Sequence, residues 1–201
     1  MLLTEKQRDA LTELINIAFS RTANSLSELT GDRILLEPPK VDILPIENIS
    51  KKLGEELNGE VATVHQIFTG PVAGDALLML DYHGAVRLAS IVAGEEEIEV
   101  DYLTPSLKEV IMELGNILLN ACLGMFGNLL QLHITFSVPK IHLDELNAIL
   151  DTLVISQEEL KYALIAVTRF RIKDSSIKGY LVIILGVASL EKLLESLDKL
   201  G

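Results

Sequence analysis

Two stretches decide how this chain is read: DALTELIN, Asp9 to Asn16, and EVIMELGN, Glu109 to Asn116. Each reads acid, three residues, Glu, two residues, Asn, and each lies inside an apolar run. Helical residues advance by about 100° each, so Asp9, Glu13, Asn16 and Ser20 fall within roughly 60° of one another. Glu109, Glu113, Asn116 and Asn120 do the same, while Leu11, Leu14 and Ala18, and likewise Leu114, Leu118 and Cys122, point elsewhere. The spacing predicts two amphipathic helices, each with a stripe of acids and amides along one side. A solvated face accounts for much of this, and acids near a helix N-terminus suit its dipole. The asparagines ask for more: Asn is a mediocre helix former, and Glu or Lys would solvate the face better.

The helix boundaries are written in the sequence. Thr4 with Gln7 three residues on is a capping box, and Gly31 follows the last turn of a pattern ending near Leu29. Thr104-Pro105 repeats the start signal, a capping hydroxyl followed by proline at the first helical position, for a helix reaching roughly Leu130.

Laying one half on the other at an offset of one hundred residues aligns more than the trios. Leu14 falls on Leu114, Ile17 on Ile117, and Pro39-Lys40-Val41 on Pro139-Lys140-Ile141. The halves close alike, from Gly74 and from Gly179, each as a strand and then a short helix. Val61 to Phe68 and Asp75 to Leu80 read as strands of the first half, and Tyr162 to Ile172 and Tyr180 to Leu185 as strands of the second. FTGPVAGD and KDSSIKG between them have hairpin-turn chemistry. The expected architecture is α+β and internally duplicated: two halves, each a helix plus antiparallel strands, sharing one sheet. Residues 1–201 then form a single domain, with pseudo-repeats at about 1–94 and 104–201 and an acidic joint at 95–103.

Composition narrows the function. Hydrophobic residues make up 49% of the 201-residue chain, ample for a core, and with aromatics at 4% and no Trp that core is aliphatic. That leaves little material for aromatic platforms on which bases could stack. A net charge of −12 repels polyanions, so neither nucleic acid nor an anionic membrane is an expected partner. Cys122, the single cysteine, allows no internal disulfide and reads as a buried small hydrophobe. The N-terminus lacks a signal-peptide pattern, and the strongest apolar run, Leu181 to Ala188, is too short to span a bilayer, so the expectation is a soluble cytoplasmic protein.

Other chemistries find no support. Neither helix contains a histidine, so Glu-x2-Asn is not a di-metal Glu-x2-His motif. His65, His83, His133 and His142 show no metal-ligand spacing, and Ser90 and Ser189 lack a visible histidine–acid partner. GPVAGD is not a phosphate loop, since it lacks the Lys-Ser/Thr and the long helix that must follow.

An acid-x3-Glu-x2-Asn motif followed, after twenty-two intervening residues, by proline, occurring twice, resembles the CheC family, whose relatives include CheX and the CheC-like part of FliY. ELGNI at Glu113 to Ile117 and GPVAGDALLML before the first short helix are similar to that family too. The resemblance implies a phosphatase for phosphorylated response regulators of the CheY type, contributing no nucleophile and no cofactor of its own. The regulator would bring its aspartyl phosphate, Mg2+ and lysine. Glu13 and Glu113 would pair with that lysine, and Asn16 and Asn116 would reach the phosphoryl group and orient a water. Asp9, Ser20, Glu109 and Asn120 would line the partner-binding face. The alternative is a non-catalytic binding module for a regulator or for CheD. With two motif copies in one chain a monomer is expected, a homodimer being the alternative. The departures are Ile15 where the family has glycine, which either crowds a regulator or fills core; Glu109 in place of Asp or Ser; and Phe19 and Arg21 where the family has small residues.

Overall fold

The computed structural model describes residues 3–95, 101–154 and 161–199. Residues 96–100 of the acidic joint lie outside them. Helix α1 (Glu5–Thr30) starts with the capping box, the Thr4 hydroxyl accepting from the Gln7 amide and the Gln7 side chain from the Thr4 amide. It stops at Gly31 with φ 74°, the left-handed conformation that glycine adopts freely. Helix α4 (Pro105–Leu130) starts on the Thr104 hydroxyl, with proline in its first turn. It ends on Gln131 at φ 53°, at the place where α1 uses glycine.

The remaining elements are β1 (Ile34–Leu36), β2 (Lys40–Pro45), a single 3-10 turn (Ile46–Asn48), α2 (Ile49–Leu53), β3 (Glu60–Thr69), β4 (Gly74–Asp81) and α3 (Tyr82–Ala93). After α4 come β5 (Thr135–Phe136), β6 (Lys140–Glu145), α5 (Leu146–Val154), β7 (Lys161–Ile172), β8 (Ser175–Gly186) and α6 (Val187–Asp198). Strand β8 begins inside the stretch read as a turn: Ile172 pairs with Ser175, so the hairpin loop is only Lys173-Asp174, and SSIKG is strand. The polar composition of that stretch suggested a longer loop, but its alternation continues the ladder, with Ile177 buried between exposed Ser176 and half-buried Lys178. Strands β1 and β5 and helix α2 are too short to stand out in the sequence, and β2, β6 and α5 are not among the elements expected from it.

Among the described residues the strands form one eight-stranded antiparallel sheet, ordered β1-β7-β8-β4-β3-β5, with β2 also along β7 and β6 also along β3. The edges are exchanged. First-half strands β1 and β2 complete second-half β7, and β5 and β6 complete β3. The two halves meet at the centre, where β4 pairs with β8.

Both faces of the central strands are covered. Leu78, Leu80, Leu181 and Ile183 join the core under α1, α3, α4 and α6. Leu77, Met79, Val182 and Ile184 join a second cluster with Ile49, Leu53, Ile149 and Leu153 of α2 and α5. This is why YLVIIL is an unbroken apolar run rather than an alternating one. Helices α1 and α4 pack against one another on the first face. Helix α4, longer than the Leu181–Ala188 run, is long and apolar enough to cross a membrane. In the fold its apolar residues Leu107, Ile111, Leu114, Leu118 and Leu119 are core, and Glu109 and Glu113 are exposed on its other side.

The glycine–isoleucine difference between the motifs is a matter of packing. Gly115 lies against β3 so closely that a Cβ would fall 2.6 Å from the Val64 Cβ. Ile15 is 1% exposed, and so fills core rather than crowding the outer face; Phe19 is likewise buried, while Arg21 faces solvent. By register, Val64 opposite Ile141 in one half corresponds to Ala166 opposite Val41 in the other. The halves thus pair small helix residue with larger strand residue, and the reverse. Gly115→Ala is expected to destabilise by about 1–3 kcal/mol through overpacking. Adding Val64→Ala should recover part of that loss, as read by denaturant unfolding, and strictly additive effects would contradict the exchange.

Candidate functional site

The solvent-facing sides of α1 and α4 carry the motif residues. Asp9, Glu13 and Ser20 are exposed and Asn16 is half-buried; Glu109 and Glu113 are exposed, and Asn116 and Asn120 half-buried. The fold brings Glu and Asn of each motif onto one helix face, on helices packed together, as their spacing requires. Among the described residues none of the four acids forms an ion pair. Their charge is available to an incoming cation.

The two asparagines are held differently. The Asn116 Oδ1 accepts from Gln66 Nε2 at 3.1 Å and from Asn120 Nδ2 at 2.9 Å. Gln66 also donates to the Ser137 carbonyl oxygen at 3.1 Å. Among the described residues no side chain hydrogen-bonds the Asn16 amide group; Ser20 donates to the Asn16 backbone carbonyl at 2.9 Å. The register position equivalent to Gln66 is Thr168, whose hydroxyl donates to the Glu37 carbonyl at 2.7 Å. Glu37 and Ser137 correspond at the hundred-residue offset, so the halves share the anchor to this carbonyl. Only the second has a side chain long enough to reach its asparagine.

Gln66 and Ser137 escaped the sequence reading. The signal was there: in VATVHQIF the residues Ala62, Val64, Gln66 and Phe68 share one strand face, and an amide among apolar residues on a core face needs a partner.

On the opposite sheet face His65, Asp75, Ser137, Lys140 and His142 line a cleft of about 470 Å³ bordered by α5. The His65 Nε2 lies 2.8 Å from Asp75 Oδ1, and the His65 and His142 rings are 5.8 Å apart. Among the described residues no three His, Cys, Asp or Glu side chains converge as a metal site. Cys122 is buried inside α4, and burial pushes its thiol far above the ordinary range.

Known proteins share this fold and part of this sequence. The model of the CheC-like family matches residues 7–43, which span α1 to β2 and contain Asp9, Glu13, Asn16 and Pro39. The chain is 24% identical over 150 residues to the CheY-P phosphatase CheC of Bacillus subtilis, covering 74% of this chain and 71% of that one. It is 26% identical over 145 residues to the flagellar motor switch phosphatase FliY of the same organism, covering 70% of this chain and 36% of that one. The crystal structure of Thermotoga maritima FliY superposes with a TM-score of 0.78 at 22% identity, covering 99% of both chains. The fold is thus CheC-like, and the sequence is similar to those of CheC and FliY.

Burial first, then the nearby His65 and Lys140, hold the His142 imidazole below its ordinary value. Below the unfolded imidazole pKa the unfolded chain binds this proton more readily, so stability falls as pH drops from about 6.5 toward the lowered folded value. His142→Gln is expected to flatten that part of the stability-versus-pH curve, and superimposable curves for parent and variant would contradict the assignment.

Proposed function

We propose that this protein is a phosphatase of phosphorylated CheY-type response regulators, acting on the aspartyl phosphate in the cytoplasm. The observation that carries the reading is the pair of outward-facing Glu-x2-Asn motifs on two packed helices, their acids free of ion pairs among the described residues. Relatives described as CheY-P phosphatases at 24% and 26% identity support the class of reaction.

The chemistry asked of the chain is modest. An aspartyl phosphate held against Mg2+ by the regulator is already electrophilic, and what it lacks is a positioned water. The Mg2+ and the lysine come with the regulator. Glu13 and Glu113 bind that lysine by charge-assisted hydrogen bonds and set the docking register. Asn16 and Asn116 bring a planar amide to the phosphoryl group and its attacking water without changing charge. Both stand on rigid helices, so their ordering is largely prepaid in folding. Asp9, Ser20, Glu109 and Asn120 form the surrounding contact face. A monomer suffices, since one chain supplies both sites.

A binding module without catalysis, for a regulator or for CheD, is the second reading. The observation in its favour is that the Asn116 carbonyl is already engaged within the fold. Binding of a phosphorylated regulator with no change in its lifetime would select it.

The two roles separate kinetically. Joint Asn16→Ala and Asn116→Ala is expected to remove the acceleration of phosphate loss while leaving regulator binding and thermal stability in place. Joint Glu13→Ala and Glu113→Ala is expected to weaken docking by about 1.5–3 kcal/mol, roughly 10- to 100-fold in the half-saturating concentration. Full activity in the asparagine double variant would overturn the mechanism.

A further inference from the structure

Each motif helix carries its own Glu and Asn and so forms a site in itself, but the fold treats the two asparagines unequally. Beneath α4, Gln66 is 1% exposed in the middle of β3. Neither its Oε1 nor the Asn120 Oδ1 has a hydrogen-bond partner among the described residues. Buried acceptors left unpaired are destabilising, and Met at position 66 would remove that penalty. What Gln66 does for this cost is read from its bonds.

The polarity of the network follows from one backbone atom. The Ser137 carbonyl only accepts, so the Gln66 group facing it at 3.1 Å is the NH2. The other N–H of that nitrogen points at Asn116, so the Asn116 atom 3.1 Å away is its carbonyl oxygen. Asn120 donates to the same oxygen at 2.9 Å. A carbonyl oxygen offers two lone pairs, and both are taken. Beneath α1, Thr168 stands where Gln66 would and spends its hydroxyl on Glu37, and the Ser20 hydroxyl serves the helix backbone. The Asn16 carbonyl oxygen accepts from no side chain among the described residues.

An attacking water directs a lone pair at phosphorus, so its protons must go to acceptors. A single amide holds such a water when its oxygen accepts one of those protons and its NH2 donates to a phosphoryl oxygen. Asn16 has both groups free. Asn116 can donate at once, but it accepts from a water only after Gln66 or Asn120 gives up a bond. Glu113 is outside the network and exposed, so docking at α4 is unaffected. We infer that the two sites are unequal: the α1 site carries most of the turnover, and Gln66 is a positioning residue that slows the α4 site by occupying the Asn116 carbonyl. This deepens the phosphatase reading above and rests on it.

The test uses the full chain with a phosphorylated CheY-type regulator from the same cell, reading maximal rate and half-saturating concentration in variants that leave one motif intact. Giving up one hydrogen bond to admit the water slows the α4 site by roughly two- to tenfold. Asn16→Ala, which leaves the α4 site, is therefore expected to lower the maximal rate by roughly three- to tenfold, and Asn116→Ala by less than about twofold. Adding Gln66→Met to Asn16→Ala frees one lone pair of Asn116. The residual maximal rate should rise by about twofold or more, with half-saturation unchanged because Glu113 is untouched. The same substitution beside Asn116→Ala should bring no gain, which separates an effect through Asn116 from a general one. Equal losses from the two asparagine variants, a larger loss from Asn116→Ala, or no gain from Gln66→Met beside Asn16→Ala would overturn the inference. The side-chain NH2 resonances give an independent readout. Gln66→Met should move the Asn116 signal and leave that of Asn16 in place, and an unmoved Asn116 signal would overturn the positioning role. Failure of the unmutated chain to accelerate phosphate loss would instead defeat the phosphatase reading, and the inequality of the sites with it, while the Asn116 signal would still decide whether Gln66 holds that amide.

Discussion

The antiparallel pairing of Gly74–Met79 with Leu185–Tyr180 is the contact through which the two halves of the chain become one sheet. It is buried on both faces, so its hydrogen bonds are formed away from water, where leaving them unmade would be costly. On one side it seats the paired helices α1 and α4; on the other it is sealed by α2 and α5. The exchanged edges add a second constraint. Each half lends its short strands to the long strand of the other, so neither completes its own sheet. The helices that carry the motifs therefore ride on a surface that exists only when both halves are in place.

That rigidity matters because the proposed chemistry is geometric. An amide that orients water works by being held at the right distance and angle, and a carboxylate that captures a lysine works by being free to do so. The fold separates these needs. Glu13 and Glu113 stand in solvent and pair with no cation among the described residues, whereas the asparagines sit half-buried, one turn further on, where the sheet beneath can influence them. The influence differs between the halves. A glutamine on β3 reaches Asn116, and a threonine at the matching place on β7 does not reach Asn16. The same asymmetry runs through the packing, with Gly115 over Val64 on one side and Ile15 with Ala166 in register on the other.

Much of this was legible in the residues. The capping signals at Thr4, Gly31 and Thr104-Pro105 placed the long helices to within a residue or two, because local hydrogen bonding decides where helices begin and end. The long strands declared themselves by apolar content, and the motif stripes by helical spacing. What stayed hidden depends on partners distant in sequence. Strands β1 and β5, three and two residues long, are strands only because β7 and β3 lie beside them. The turn at Lys173-Asp174 looked longer because SSIKG is polar, although its alternation fits a ladder against β7. Ile15 read as an open choice between surface and core until the helix was seated. The link from Gln66 to Asn116 crosses fifty residues and could be anticipated only as a buried amide in want of a partner.

The most direct measurement is the decay of a phosphorylated CheY-type regulator from the same cell, in excess over this protein, against the regulator's own decay. The account predicts that a small amount of the chain shortens the lifetime of the whole phosphorylated pool through repeated turnover. An unchanged lifetime in a sample where binding of the regulator is verified would contradict it and leave a protein that docks the regulator without acting on its phosphate.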